Sequence, residues 1–175
     1  MLNKKIGVVI TTYKNNGIYV RQAMECFFKY LPKNTYYALY INESEDPNLY
    51  EFISSVDNID IYTINDQQKN GGLTATWNHG IHKCFANNCE IIALSNDDIL
   101  FDQSIIHIFE ESEKCKNNEM KYYGPLSNNP GVSFSNKKNQ YGLIYSDKEP
   151  YKCMRQNELF SINGFFMVFP KHVLI

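Results

Sequence analysis

Ile91-Ile92-Ala93-Leu94-Ser95-Asn96-Asp97-Asp98-Ile99-Leu100 is the stretch from which the fold of this chain can be read. Its opening residues form a short apolar run behind Glu90, the pattern of a strand buried on both faces. The run stops abruptly in Asn96, Asp97 and Asp98, and an apolar pair follows. Two adjacent carboxylates at the mouth of a buried strand repel one another unless something positive sits between them. A hard divalent cation, bound through one or two carboxylates plus phosphates, is the usual such partner. The plain alternative is a helix start or turn whose acids face water, and with eight aspartates in the chain a chance Asp-Asp pair is no rarity. The position at a strand's carboxyl end is what favours a site.

Working outward, the chain has 175 residues, 43% hydrophobic and 21% charged, enough for one domain with a real core. A formal net charge of −2 and the lack of a basic stripe argue against nucleic acid as a partner. Cys26, Cys84, Cys89, Cys115 and Cys153 are odd in number and lack a C-x-x-C spacing, so reduced, packed thiols and a cytoplasmic location are expected. Lys4 and Lys5 precede only the short run Ile6 to Ile10, too short for a signal-peptide core. No apolar run approaches the ~20 residues of a membrane span.

Upstream of the acidic stretch, strands and helices alternate. Ile6 to Ile10 reads as a buried strand that stops at Thr11-Thr12-Tyr13. Val20, Ala23, Met24, Phe27, Phe28 and Leu31 recur at helical spacing, and Pro32 closes that helix. Tyr36 to Ile41 predicts a second strand ending at Asn42-Glu43-Ser44. Asp46-Pro47 then caps a helix with Leu49, Phe52, Ile53 and Val56 inward. Ile59 to Ile64 gives a third strand. Asn70-Gly71-Gly72 opens a helix with Leu73, Trp77, Ile81, Cys84 and Phe85 as its inner face. Beyond the acidic stretch, Asp102 caps a helix with Ile105, Ile106 and Phe109 inward, and Lys121 to Leu126 predicts a fifth strand. From Ser127 to Asn157 the pattern dissolves into a long irregular loop. Leu159 to Phe169 is again apolar, and Pro170 is placed to start a last helix.

This alternation predicts an α/β domain, Rossmann-like, with a mostly parallel central sheet and helices on both faces. In the doubly wound order the first and fourth strands are neighbours where the winding reverses, and ligands bind at the strand carboxyl ends there. That crevice would lie between Thr11-Thr12-Tyr13 and Asn96-Asp97-Asp98. Tyr13 can stack on a planar base and a strand-end threonine can hydrogen-bond it. Asn42 and Glu43 could accept a base N–H. Gly72 allows close approach of an anion to a helix start. Neither a P-loop nor a dinucleotide fingerprint is present, since the Lys-Ser/Thr and the G-x-G-x-x-G are both missing. His79 and His82 are three apart on one helix, and exposed helix histidines are the expected reading.

In chain order, Ile6–Tyr13 (IGVVITTY), Asn42–Asp46, Asn70–Ile81 (NGGLTATWNHGI), Leu94–Leu100 (LSNDDIL) and Ile162–Leu174 (INGFFMVFPKHVL) resemble the blocks of the family 2 glycosyltransferases of the GT-A fold. The resemblance implies a single nucleotide-diphospho-sugar transferase domain over residues 1–175, with Mn²⁺ or Mg²⁺ as cofactor. A nucleotide-sugar donor, UDP-sugar favoured, would react with a glycan or other hydroxyl acceptor, with inversion. Thr11, Thr12, Tyr13, Asn42, Glu43, Gly72, Asn78, Asn96 and Asp97 would then hold the nucleotide sugar, and Asp97 and Asp98 the metal. The chain departs from the family pattern at Ser95, where an aspartate is usual. The family's catalytic base would fall beyond Ile175, so a C-terminal truncation is expected, with Glu158 the substitute within the chain. The competing readings are a non-catalytic nucleotide-sugar or glycan-binding module of a larger protein, and a nucleotidyltransferase. The latter would want a glycine- and basic-rich loop where Thr12 to Gly17 stands.

Overall fold

A computed structural model describes residues 2–13, 17–42, 47–63, 66–124 and 166–175. At its centre are β1 (Ile6–Tyr13), β2 (Tyr36–Asn42), β3 (Ile59–Thr63), β4 (Ile91–Asn96) and β5 (Phe166–Pro170). They form one sheet in the order β3-β2-β1-β4-β5. The first four strands are parallel, and β5 runs antiparallel to β4. The chain winds outward from β1 to β3, then crosses back to place β4 on the other side of β1. The reversal point therefore lies between β1 and β4, as the alternating pattern predicts.

Helices α1 (Gly17–Tyr30), α2 (Pro47–Ser54), α3 (Asp66–Ala86) and α4 (Ile105–Glu113) cover the sheet on both faces. Side chains alternate along each strand, which divides the core in two. Ile6, Val8 and Ile10 of β1 join Ile91 and Ala93 of β4 on a first face, under Val20, Met24 and Phe27 of α1, Leu49 and Ile53 of α2, and Ile105 and Phe109 of α4. Val9, Ala38, Tyr40, Ile92 and Leu94 line the second face, under Cys84 and the flanking Trp77, Ile81 and Phe85 of α3. Every residue from Ile91 to Ser95 is buried, as expected for a strand covered on both sides.

Three expectations change. The strand predicted over Lys121–Leu126 is reduced, among its described residues, to a single antiparallel bridge between Tyr123 and Val168. Its two hydrogen bonds are 2.8 and 2.7 Å, and Gly124 and Pro125 follow; a proline N cannot donate to a ladder. The helix after Pro170 is one tight turn, Lys171–Val173. The helix predicted from Asn70 begins earlier, at Asp66, and is interrupted at Gly72 by φ 60°, ψ −153°, a backbone that favours glycine. The predicted cap Asp46 and the irregular stretch from Ser127 to Asn157 lie outside the described residues.

The inner face of α3 also differs from the apolar periodicity. Thr76, Gly80 and Cys84 are buried, while Leu73 is 48% exposed. A Cβ at Gly80 would stand 2.4 Å from Val9 Cγ1, so glycine is what lets the helix lie this close to β1. Small residues form the contact row, and the large apolar ones pack on its flank.

Candidate functional site

Strand pairing builds the candidate crevice. Thr11 lies in register with Asn96 across β1 and β4, and Tyr13 with Asn42 across β1 and β2. By alternation Thr11 and Asn96 belong to the face that carries Val9 and Leu94, the one covered by α3. Both are half-buried at the carboxyl end of the sheet. Thr12 faces the other way, buried, and its hydroxyl has no hydrogen-bond partner among the described residues.

Asp97 and Asp98 are the next two residues, and their surroundings differ. Asp97 is only 7% exposed, whereas Asp98 is exposed. The plain alternative, a turn whose acids both face water, therefore does not describe Asp97. The chain leaves β4 through a bend that tucks the first carboxylate in and turns the second out. Ser95, where the resembling family has an aspartate, is buried and donates its hydroxyl to the Asn96 carbonyl at 2.8 Å. Past the bend, Asp102 accepts the Ser104 N–H at 2.7 Å. Hydrogen bonds from the Ser104 side chain and amide hold the Asp102 carboxyl below the usual range.

Helix α3 runs antiparallel to β1. Cys84 meets Gly7 and Gly80 meets Val9, so four residues back along the helix match about two residues forward along the strand. Continuing that match by one helical turn, up to the break at Gly72, carries Thr76 in the direction of Thr11. Thr76 ties the two parts of the helix together by donating its hydroxyl to the Gly72 carbonyl at 3.3 Å. Gly72 is exposed with open space where a Cβ would go, and Asn78 is exposed on the same helix. The side chains of Tyr13 and Asn42, and all of Glu43 and Glu158, lie outside the described set.

The sequence reading missed the surroundings of His79. It is not a solvent-facing helix histidine. Its Nδ1 lies 2.7 Å from the Tyr40 hydroxyl, and its ring meets Tyr40 and Tyr62 edge-on while those two stack at 5.0 Å. Burial first, then the charges of Lys83 and His82, lower the His79 pKa from 6.5. Which of the two donates in the Tyr40–His79 hydrogen bond is set by the imidazole tautomer. The available signal was the alternation Tyr36, Ala38, Tyr40 on β2, which puts tyrosines on the face that α3 covers. Among the described residues no three His, Cys, Asp or Glu side chains cluster as a metal group. Any cation at Asp97 and Asp98 would draw its remaining ligands from elsewhere.

No family model and no curated protein sequence matches the chain. Solved structures do. One is the apo structure of the bifunctional glycosyltransferase WbbM, at 12% identity and TM-score 0.50, covering 98% of this chain and 32% of that one. Another is S. aureus TarS 1-349 in complex with UDP-GlcNAc, at 18% identity and TM-score 0.48, covering 62% and 32%. A third is the mannosyltransferase PcManGT from Pyrobaculum calidifontis in complex with GDP-Man and Mn²⁺, at 11% identity and TM-score 0.48, covering 61% and 31%. The chain spans about a third of the length of these proteins. At such identities the likeness is one of fold, and of these three WbbM reaches a TM-score of 0.50. The chain has a mixed, mostly parallel α/β sheet with helices on both faces, the GT-A fold.

Proposed function

We propose that this chain is a metal-dependent glycosyltransferase domain of the family 2 type, taking a nucleotide-diphosphate sugar, UDP-sugar favoured. One observation carries the reading: β1 and β4 pair at the reversal point with Thr11 beside Asn96, and Asp97 and Asp98 come next. In an open α/β sheet that is where a ligand binds. Thr11, Thr12 and Tyr13 would hold the base, with Asn42 and Glu43 at the end of the neighbouring strand. Gly72, lacking a Cβ at a break in α3, would let the diphosphate approach backbone N–H groups. Asn78, on the same helix, would contact the sugar half, and Asn96 and Asp97 the ribose.

The donor set at Asp97 and Asp98 is hard oxygen, which suits Mn²⁺ or Mg²⁺ completed by diphosphate oxygens and water. When bound, the ion neutralises the charge that develops on the departing diphosphate. Asp97 is buried and Asp98 exposed, so in this reading the first would be held in place for the ion and the second would meet the incoming ligand. In an inverting transfer the acceptor hydroxyl attacks the anomeric carbon, a carboxylate takes its proton, and the nucleoside diphosphate leaves. Glu158 is the candidate for that carboxylate within the chain.

A thermal-shift panel tests the reading. UDP and UDP-sugars should raise the unfolding temperature with Mn²⁺ present and leave it unchanged in EDTA. Asp98→Asn should abolish that shift without altering the unfolding temperature of the free protein. Asp97→Asn should likewise abolish the shift, without a loss in the metal-free protein, since the neutral amide relieves the repulsion with Asp98. Equal stabilisation in EDTA would overturn the metal role.

A further inference from the structure

Four residues stand side by side at one level across the sheet. Tyr62 of β3 pairs with Tyr40 of β2, Tyr40 with Thr11 of β1, and Thr11 with Asn96 of β4. By alternation all four belong to the face that α3 covers. The candidate crevice thus lies at one end of a row whose other end is aromatic, and His79 of α3 touches that aromatic end.

Small residues make the contact between α3 and β1. Gly80 against Val9 and Cys84 against Gly7 bring the helix close, but without interlocking side chains they set its distance better than its register. His79 supplies a directional contact. Its Nδ1 lies 2.7 Å from the Tyr40 hydroxyl, and its ring stands edge-on to Tyr40 at 5.7 Å and to Tyr62 at 5.3 Å. Tyr40 is fully buried and stacks on Tyr62, and the Tyr62 hydroxyl is held by Asp60 at 3.0 Å. Lys83, one turn further along α3, lies 5.3 Å over the Tyr62 ring. A hydrogen bond weakens steeply with distance and angle, so a slide or roll of α3 would break this one.

We propose that His79 is a positioning residue for the nucleotide site, holding α3 on the sheet through Tyr40 so that Asn78 keeps its place relative to Thr11 and Asn96. The proposal rests on the reading of that crevice as a nucleotide-sugar site. Asn78 is the neighbour of His79 in the chain and is exposed, so a shift of the imidazole is passed to it directly by the helix backbone. Thr76, on the same helix, carries the same shift toward Thr11.

The test is the affinity of the whole chain for UDP with Mn²⁺ present, measured by calorimetry for the unsubstituted chain, His79→Phe, Tyr40→Phe, the double variant and His79→Asn. The two Phe variants each delete one side of the hydrogen bond and keep a ring in place. Each should weaken binding about two- to tenfold, the upper figure being the worth of one hydrogen bond. The double variant should bind no more weakly than either single one, because both changes remove the same contact. His79→Asn sets an amide where Nδ1 stands and should return most of the lost affinity. A residue that only stabilised the fold would lower the unfolding temperature of the Phe variants and leave their affinity unchanged. That result would overturn the proposal, as would losses that add in the double variant. An unsubstituted chain that binds no UDP would overturn the reading of the crevice and the proposal with it, and that failure shows in the unsubstituted chain while the others show only in the variants.

Discussion

The two faces of the sheet are built on different principles. On the first, large rings interlock: Phe27 lies 4.7 Å from Phe101 and 6.2 Å from Phe166, and Phe109 meets Phe166 edge-on. Several helices share that cover. On the second face the helix that covers it among the described residues, α3, comes close because Gly7 and Gly80 remove the Cβ atoms that would hold it off. That face is also the more polar one toward its β3 edge, where Tyr36 and Tyr62 both donate to Asp60, at 2.8 and 3.0 Å. Thr11 and Asn96 fall on this second face. The difference teaches that stability is concentrated on one side of the sheet and fine positioning on the other.

The largest effect should come from emptying the first face. Phe27→Ala should cost about 3–5 kcal/mol in denaturant unfolding, from a ring with no exposure and three aromatic neighbours. A loss below 1 kcal/mol would show that the face collapses around the gap and is not the stiffer side. Next in size is Gly80→Ala, where the new methyl meets Val9 and also lies 3.2 Å from Tyr40 Cε2. Overpacking of this kind costs about 1–3 kcal/mol, less up to about 1 kcal/mol returned by helix propensity. Nucleotide binding should weaken with it, because the displaced helix carries Gly72 and Asn78. Unchanged binding in a destabilised Gly80→Ala would separate packing from positioning.

The smallest effect is a pH dependence at His79. Because its folded pKa lies below 6.5, the unfolded chain binds a proton that the folded chain refuses as pH falls through that value. Stability from this source is fully present above pH 6.5 and is lost on acidification. The groups that face the ring are Tyr40 and Tyr62 from the sheet and Lys83 and His82 from its own helix. Unfolding midpoints measured between about pH 7.5 and about pH 5.5 should fall more steeply for the unsubstituted chain than for His79→Phe. Parallel curves would remove His79 from the account.

Much of this architecture was legible because its signals are local. Ile91 to Leu94 and Ile6 to Ile10 announce buried strands by unbroken apolar runs, and the alternation with helices then fixes which two strand ends meet. What was misread depends on partners distant in sequence. Among the described residues Tyr123 pairs once, with Val168, a choice made by the edge of the sheet and not by the apolar run around it. Leu73 looked inward because leucine carries a strong apolar signal. The true contact row of Thr76, Gly80 and Cys84 carries a weak one, since closeness of approach is written in small residues. The burial of Asp97 beside exposed Asp98 was equally hidden, because the bend after β4 has no period to read.

The contact between Gly80 and Val9 has a consequence for how this sequence can change over time. Neither position can drift alone toward greater bulk, since the space each would need is held by the other. Substitutions there should be epistatic: Val9→Ala empties space that the methyl of Gly80→Ala refills, so the pair should cost less than the two single changes summed. Lineages descended from this chain should therefore show the two positions trading volume.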